Sequence, residues 1–271
     1  MWAGASPASS SLPSPSCRSS VDRRVRSRAL SADVPFSFAS RAAEGHHLRV
    51  VSGHPTRQER VRAAYDAVAR DYDQALSDEL DAKPLDRKLL ETIAELVDRG
   101  RLADVGCGPG HVTRFLAGLH DNVIGVDDSP QMIVVAKDRA PELRFEVASM
   151  LDLPVASEEW AGAVAFYSVI HFDEGDRSKA WRELARVIRP DGWLLVAFHV
   201  DSPGHDIGSV NHLSEWFGHA VDLDGFFLDP TAVCSEIQRE GFAVIARLER
   251  LPNPAVEYPS RRCYVLAQRR R

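Results

Sequence analysis

From Gln58 onward the chain alternates between two hydrophobic rhythms. Over 60–73, Val61, Ala64, Tyr65, Val68 and Tyr72 recur at three- and four-residue intervals, which predicts an amphipathic helix. The same spacing returns after Pro84, over 85–97, with Leu89, Leu90, Ile93, Leu96 and Val97, and Gly100 is expected to end that helix. Short apolar runs at 101–105, 122–126, 143–147, 162–167 and 193–199 predict strands, and periodic stretches at 110–119, 129–138, 176–188 and 230–240 predict helices between them. Strand–helix alternation of this kind implies an α/β fold with a doubly wound, mostly parallel sheet covered on both faces. Two last strands, 242–248 and 262–267, are joined by a Pro-rich connection and predict an antiparallel hairpin at one edge, for seven strands in all.

Two stretches break the rhythm. In residues 1–56 Ser, Pro, Ala and Arg dominate, acids are few and neither period is sustained. Such a segment buries too little apolar surface to offset its ordering entropy, so a disordered extension is expected, followed by one domain over 57–271. It lacks the apolar centre of a secretory signal. Its composition fits an organelle transit peptide, or an upstream start with the protein proper beginning near Val50 or Val51. Residues 200–229 hold His205, His212, His219 and the aromatics Trp216, Phe217, Phe226 and Phe227. They follow the fifth strand, on the edge of the sheet where open α/β folds bind ligands, so a substrate lid is expected there. Those aromatics read either as an apolar wall for the acceptor or as core packing.

The balance of the 271 residues, 44% hydrophobic and 27% charged with a formal net charge of -6, is that of a globular domain. An acidic chain has no general electrostatic hold on nucleic acid, and no apolar run approaches the ~18 residues of a membrane span, so neither partner is expected. Cys17, Cys107, Cys234 and Cys263 are scattered without metal or disulfide spacing, which predicts reduced thiols in a cytoplasmic protein; separately, a monomer or homodimer is expected.

The candidate chemistry centres on Leu102-Ala-Asp-Val-Gly-Cys-Gly-Pro-Gly110, where a strand gives way to a glycine turn and then a helix. Gly106, Gly108 and Gly110 suit a backbone that takes unusual dihedrals and lets a ligand approach closely. A dinucleotide G-x-G-x-x-G fingerprint would need a third glycine at 111, and that residue is His111, read as packing or capping at the helix start. Cys107 reads as a small side chain filling the turn. About twenty residues on, Gly125-Val126-Asp127 ends the second strand. Asp127 can accept hydrogen bonds from both hydroxyls of a ribose, or cap the next helix, for which Asp128 or Ser129 before Pro130 is better placed.

Together these residues resemble the class I S-adenosylmethionine-dependent methyltransferases, a Rossmann-like family, over about 58–271. Asp104 to Gly110 resembles the family's first motif and Gly125-Val126-Asp127 its second; Tyr65-Asp66 and Tyr72-Asp73 resemble a preceding helix whose tyrosine closes over the cofactor. Ala148-Ser149-Met150-Leu151-Asp152-Leu153-Pro154 resembles the adenine-contact turn, with Ser149 where the family usually has an acid. Phe166-Tyr167-Ser168-Val169-Ile170-His171 resembles the end of strand four. Glu183-Leu-Ala-Arg-Val-Ile-Arg-Pro-Asp-Gly192 resembles the helix and turn before strand five, with Asp191 at a position commonly glycine.

The resemblance implies S-adenosylmethionine as cofactor, its methionine part along the glycine loop, its ammonium end near Asp104, its ribose at Asp127 beside Asp128, and its adenine at Ser149 and Met150. Met132 and Met150 would sandwich the adenine or simply fill the core, and Tyr65, Tyr72 and Tyr167 would border the site. The reaction expected is methyl transfer to a small molecule, with oxygen slightly favoured over nitrogen or carbon because one histidine base and no metal suffice. His171 is the first base candidate, or else a residue that orients its loop; His219 is the second. An NAD-dependent oxidoreductase with a divergent loop, and a non-catalytic nucleoside-binding regulator, are the alternatives. The D/N-P-P-Y/F signature of base-amine methylation, a catechol-type magnesium set and a G-x-S-x-G elbow are all missing.

Overall fold

The computed structural model describes residues 55–271. In chain order these form α1 (Arg57–Leu76), a 3-10 turn (Glu79–Ala82), α2 (Pro84–Leu96), β1 (Arg101–Val105), α3 (His111–Ala117), β2 (Val123–Asp127), α4 (Pro130–Arg139), β3 (Arg144–Val147) and β4 (Trp160–Phe166). A second 3-10 turn (Val169–His171), α5 (Glu174–Val187), β5 (Ile188–Asp201), β6 (Val210–Trp216), β7 (His219–Phe226), α6 (Pro230–Arg239), β8 (Phe242–Arg250) and β9 (Arg261–Arg269) complete it.

Seven strands form one sheet in the order β3-β2-β1-β4-β5-β9-β8. The first five run parallel, and β9 enters antiparallel between β5 and β8. Successive strand residues serve opposite faces. Ala103, Ala163, Leu194 and Val196 pack with Trp181, Leu184 and Ile237 of α5 and α6, whereas Leu102, Val164 and Leu195 pack with Leu90, Ile93 and Leu116 of α2 and α3. The strand order reverses between β1 and β4, which opens a crevice at their carboxyl ends.

The departures from expectation are local. Helix α1 begins earlier than its apolar stripe, because Thr56 and Glu59 close a capping box: the Glu59 N–H donates to Thr56 Oγ1 at 3.2 Å and the Thr56 N–H to Glu59 Oε2 at 2.7 Å. Thr56, expected in the extension, thus belongs to the domain; residues 1–54, with Cys17, lie outside the described residues. Helix α2 stops at Leu96, and Gly100, at φ +101°, turns the chain into β1 instead of ending the helix. Asp191 adopts φ +61°, the left-handed turn for which glycine is usual, where β5 jumps register between Ile188 and Trp193. The interruption at 200–229 is ordered: β6 and β7 pair as an antiparallel hairpin of their own, laid against α1. Among the described residues no helix is long and apolar enough to cross a membrane.

Candidate active site

The crevice holds a cavity whose floor is the glycine loop. The Gly106 and Cys107 N–H groups both donate to the Val126 carbonyl, at 2.7 and 3.0 Å, clamping the loop to β2. Gly106 (φ +79°) has no room for a side chain, since an added Cβ would lie 2.2 Å from Cβ of Ser168. Gly108 (φ +52°) differs, for nothing stands within 4 Å of where its Cβ would be. Its face is an open cradle on the cavity. Its N–H donates to Asp127 Oδ2 at 2.8 Å, and Ser129 N–H to Asp127 Oδ1 at 2.8 Å. The cap of α4 is Ser129, whose Oγ accepts from Met132 N–H at 3.1 Å, so Asp127 is not spent as a cap.

Asp104 is buried at the end of β1 and accepts the Thr113 hydroxyl at 2.6 Å. Burial pushes its carboxyl up to about 6. Asp127 is also pushed up to about 6 by burial, against the opposing pull of the Ser129 and Gly108 N–H groups. Among the described residues no salt bridge from Lys or Arg reaches either one, which leaves two carboxylates lining the cavity suited to a cationic ligand. Asp128 lies on the rim, held by a two-pronged contact from Arg62 at 2.9 and 3.1 Å.

Ala148, Ser149 and Met150 line the end nearest β3. Helix α5 fixes that turn: Glu183 Oε1 accepts from Leu153 N–H at 2.9 Å, and Arg186 donates to the Leu153 and Val155 carbonyls at 2.9 and 2.6 Å. Cys107 lines the cavity as well, its thiol pushed well above its ordinary value by burial. Met132 and Gly110 are not among the lining residues. Met132 is fully buried with Val68, Ala69 and Val135 where α1 meets α4, and Gly110 lies against the Phe145 ring. The packing reading of Met132 is the one its surroundings fit.

The roof comes from α1 and the loop after β4. Tyr65, Tyr72, Tyr167 and His171 all line it. His171 Nδ1 lies 2.8 Å from the carbonyl of Asp224 on β7, and Nε2 lies 2.7 Å from the Tyr65 hydroxyl. A carbonyl only accepts, so Nδ1 carries a proton; burial lowers the ring's pKa, and the neutral ring then takes the Tyr65 proton donation at Nε2. Both nitrogens are committed. Tyr167, at φ +56°, hydrogen-bonds Tyr264 at 3.0 Å and stacks on His199 at 4.9 Å between centroids.

His219 does not join this group. It lies on the hairpin, half-exposed, with Nε2 2.9 Å from Asp71 on the outer side of α1. The lid aromatics are absent from the cavity wall too: Trp216 meets Tyr65 and Tyr72 edge to face, each at 5.4 Å, Phe217 meets Tyr72 at 6.3 Å, Phe226 lies under Arg57 and Phe227 beside His205. The hairpin therefore backs the roof from outside instead of lining the cavity.

Residues 102–192 match a family model described as a methyltransferase domain. An O-methyltransferase of Penicillium expansum is 34% identical over 124 residues, 43% of this chain and 44% of that protein. The magnesium-protoporphyrin O-methyltransferase of Rhodobacter capsulatus is 38% identical over 111 residues, 36% of this chain and 49% of that one. The chain thus spans about half the length of the curated relatives it matches. The solved DhpI–SAH complex shares the fold, with a TM-score of 0.61 at 18% identity, covering 79% of this chain and 97% of that one. Over residues 102–192 the chain is thus similar to the methyltransferase domain family, and its fold is that of the solved complex. S-adenosylmethionine carries a sulfonium and an ammonium, and the floor of this cavity fits it, with the open Gly108 cradle, Asp127 and Asp104 all lining it and neither carboxylate in a salt bridge to Lys or Arg among the described residues.

Glu79, Asp86 and His111 also line the cavity, and sequence reasoning gave them no part in it. Glu79 sits in a short polar turn without a motif, and Asp86 lies in the first turn of α2, likewise outside any motif. His111, adjoining the glycines, carried a signal in its position alone. Among the described residues no group of three or more His, Cys, Asp or Glu is disposed to hold a metal ion.

Proposed function

We propose that this chain is an enzyme transferring the methyl group of S-adenosylmethionine to an oxygen of a small-molecule acceptor. The observation that carries the reading is the pair Asp104 and Asp127, in no salt bridge to Lys or Arg among the described residues, lining one cavity with the open Gly108 cradle. Several relatives described as O-methyltransferases support oxygen as the atom methylated. Bound S-adenosylmethionine supplies a methyl group on a positively charged sulfur, which leaves as a neutral thioether. The chain's own part is to hold and orient. Asp127 offers lone pairs to the ribose hydroxyls, Asp104 faces the ammonium end, and Ser149 and Met150 border the adenine. Tyr65 and Tyr72 close the cavity from α1 and keep water from the reacting atoms.

Calorimetric titration of the full chain with S-adenosylmethionine, S-adenosylhomocysteine and NAD, beside Asp127→Asn, tests the cofactor. Micromolar binding of both adenosyl ligands, weakened about a hundredfold in the variant, is expected, and mass-spectrometric screening of phenols, alcohols and carboxylic acids then finds the acceptor. Binding of NAD with no binding of S-adenosylhomocysteine would overturn the reading in favour of an oxidoreductase. Cofactor binding without transfer to any acceptor would favour a regulator.

A further inference from the structure

Two histidines line the cavity, and their surroundings suit them to different tasks. His171 has both ring nitrogens committed, one to the Asp224 carbonyl and one to the Tyr65 hydroxyl. His111 does not. It is the first residue of α3, nine-tenths buried, with Nε2 3.1 Å from Glu79 Oε1. The other Glu79 oxygen accepts from Lys83 Nζ at 2.6 Å. Although burial pushes the Glu79 carboxyl up, its hydrogen bond to His111 and the charge of Lys83 outweigh that and hold it down to about 2. Glu79 is therefore a carboxylate that can only accept, and Nε2 of His111 carries the proton. Nδ1 is closed off from bulk water and has no hydrogen-bond partner among the described residues. A buried nitrogen in that state is missing a donor, and the ring that bears it forms part of the cavity wall.

We propose that His111 Nδ1, and not His171, takes the proton released by the acceptor hydroxyl, with Glu79 as the positioning residue behind it. This rests on the oxygen-methylation reading above. The acceptor's O–H bond breaks toward Nδ1 while its oxygen forms the new bond to the methyl carbon; the carbon–sulfur bond breaks and its electron pair stays on sulfur. Charge balances, because the positive charge that began on sulfur ends on the imidazolium. That imidazolium forms against an existing carboxylate and needs no rearrangement of the protein to be stabilised. His171 keeps a different task. Its fixed tautomer holds the Tyr65 hydroxyl in place on the roof.

The test uses the full chain and three variants, His111→Gln, Glu79→Gln and His171→Gln. Imidazole ¹⁵N NMR of the wild type saturated with S-adenosylhomocysteine, assigned by the resonances lost in His111→Gln, is expected to show a proton on Nε2 of His111 and none on Nδ1. Glu79→Gln should turn that single tautomer into a mixture. Calorimetry should find S-adenosylhomocysteine affinity in His111→Gln within threefold of wild type. On the oxygen acceptor found by screening, kcat should fall ~100–10,000-fold in His111→Gln, with KM changed less than threefold, and should fall less in His171→Gln. A proton on Nδ1, a tenfold loss of S-adenosylhomocysteine affinity in His111→Gln, or a kcat within threefold of wild type would each overturn the proposal. Failure of the wild type to bind S-adenosylhomocysteine would instead bring down the methyltransferase reading on which it rests.

Discussion

The floor and the roof of the cavity are built in opposite ways. The floor is local: Asp104 to Gly110 is one turn of chain, and the Gly108–Asp127 hydrogen bond closes over 19 residues. The roof is assembled from afar, with Tyr65 and His171 meeting across 106 residues and His171 and Asp224 across 53. A floor fixed by its own backbone leaves no freedom in where a cofactor lies. A roof made of side chains from α1, a 3-10 turn and an outlying hairpin can be rebuilt without disturbing the sheet.

The largest effect should come from breaking the floor. Gly106→Ala puts a Cβ 2.2 Å from Cβ of Ser168, at a position with φ +79°. Neither atom is the far end of a flexible chain, so overpacking adds to left-handed strain, and a loss of about 3 kcal/mol is expected. Urea unfolding monitored by circular dichroism measures it, and an unchanged midpoint would mean that the loop and Ser168 are not in contact.

Next in size is a pH effect on the same floor. Asp104 and Asp127 titrate at about 6 when folded, above the ~3.9 of an ordinary Asp. Between about pH 4 and 6 the folded chain thus binds more protons than the unfolded one, and the contribution of these two groups to stability falls as pH rises through that window. Cofactor affinity should move the other way, because the ionised carboxylates are the better partners for an ammonium and for ribose hydroxyls. S-adenosylhomocysteine should bind about tenfold more weakly at pH 5 than at pH 7.5 for each carboxylate that must ionise. Calorimetry across that range checks the sign, and an affinity independent of pH would show that neither carboxylate ionises to bind.

The same division governs what could be read from the chain. The floor was legible because each contact lies inside a motif: the acid, the alternate glycines and Asp127 are set by short-range geometry, as are the strands that carry them. The mostly parallel sheet with its antiparallel edge hairpin followed from the same alternation of periods. The roof was legible only in part. Tyr65 and Tyr72 stood out by spacing, and His171 by its place after the fourth strand. That the Asp224 carbonyl fixes His171, or that Glu79 faces His111, depends on how α1, the 3-10 turn and β7 settle against the sheet, and no local pattern encodes that. The hairpin was missed for a related reason. Its strands are half-exposed and too short of regular alternation to announce themselves, and they gain their order from packing on α1. His219 was placed at the site by sequence position, and the aromatics were open between an acceptor wall and packing; none of them lines the cavity, Trp216 and Phe217 packing on Tyr72 of α1 and Phe226 against the main core.

The smallest effect should come from Trp216, and it decides whether floor and roof are separable. Trp216 touches Tyr65 and Tyr72 edge to face, each at 5.4 Å, but lies outside the cavity and is only partly buried. Trp216→Ala removes two edge-to-face pairs and some apolar contact, for a loss of ~1–2 kcal/mol, below that of a fully buried tryptophan. With the floor intact, S-adenosylhomocysteine affinity should fall less than threefold. If it falls more than tenfold while the chain stays folded, the hairpin reaches the glycine loop through Tyr65 and Tyr72, and the two halves of the cavity act as one cooperative unit. A small change would leave the roof free to diverge over a floor that cannot.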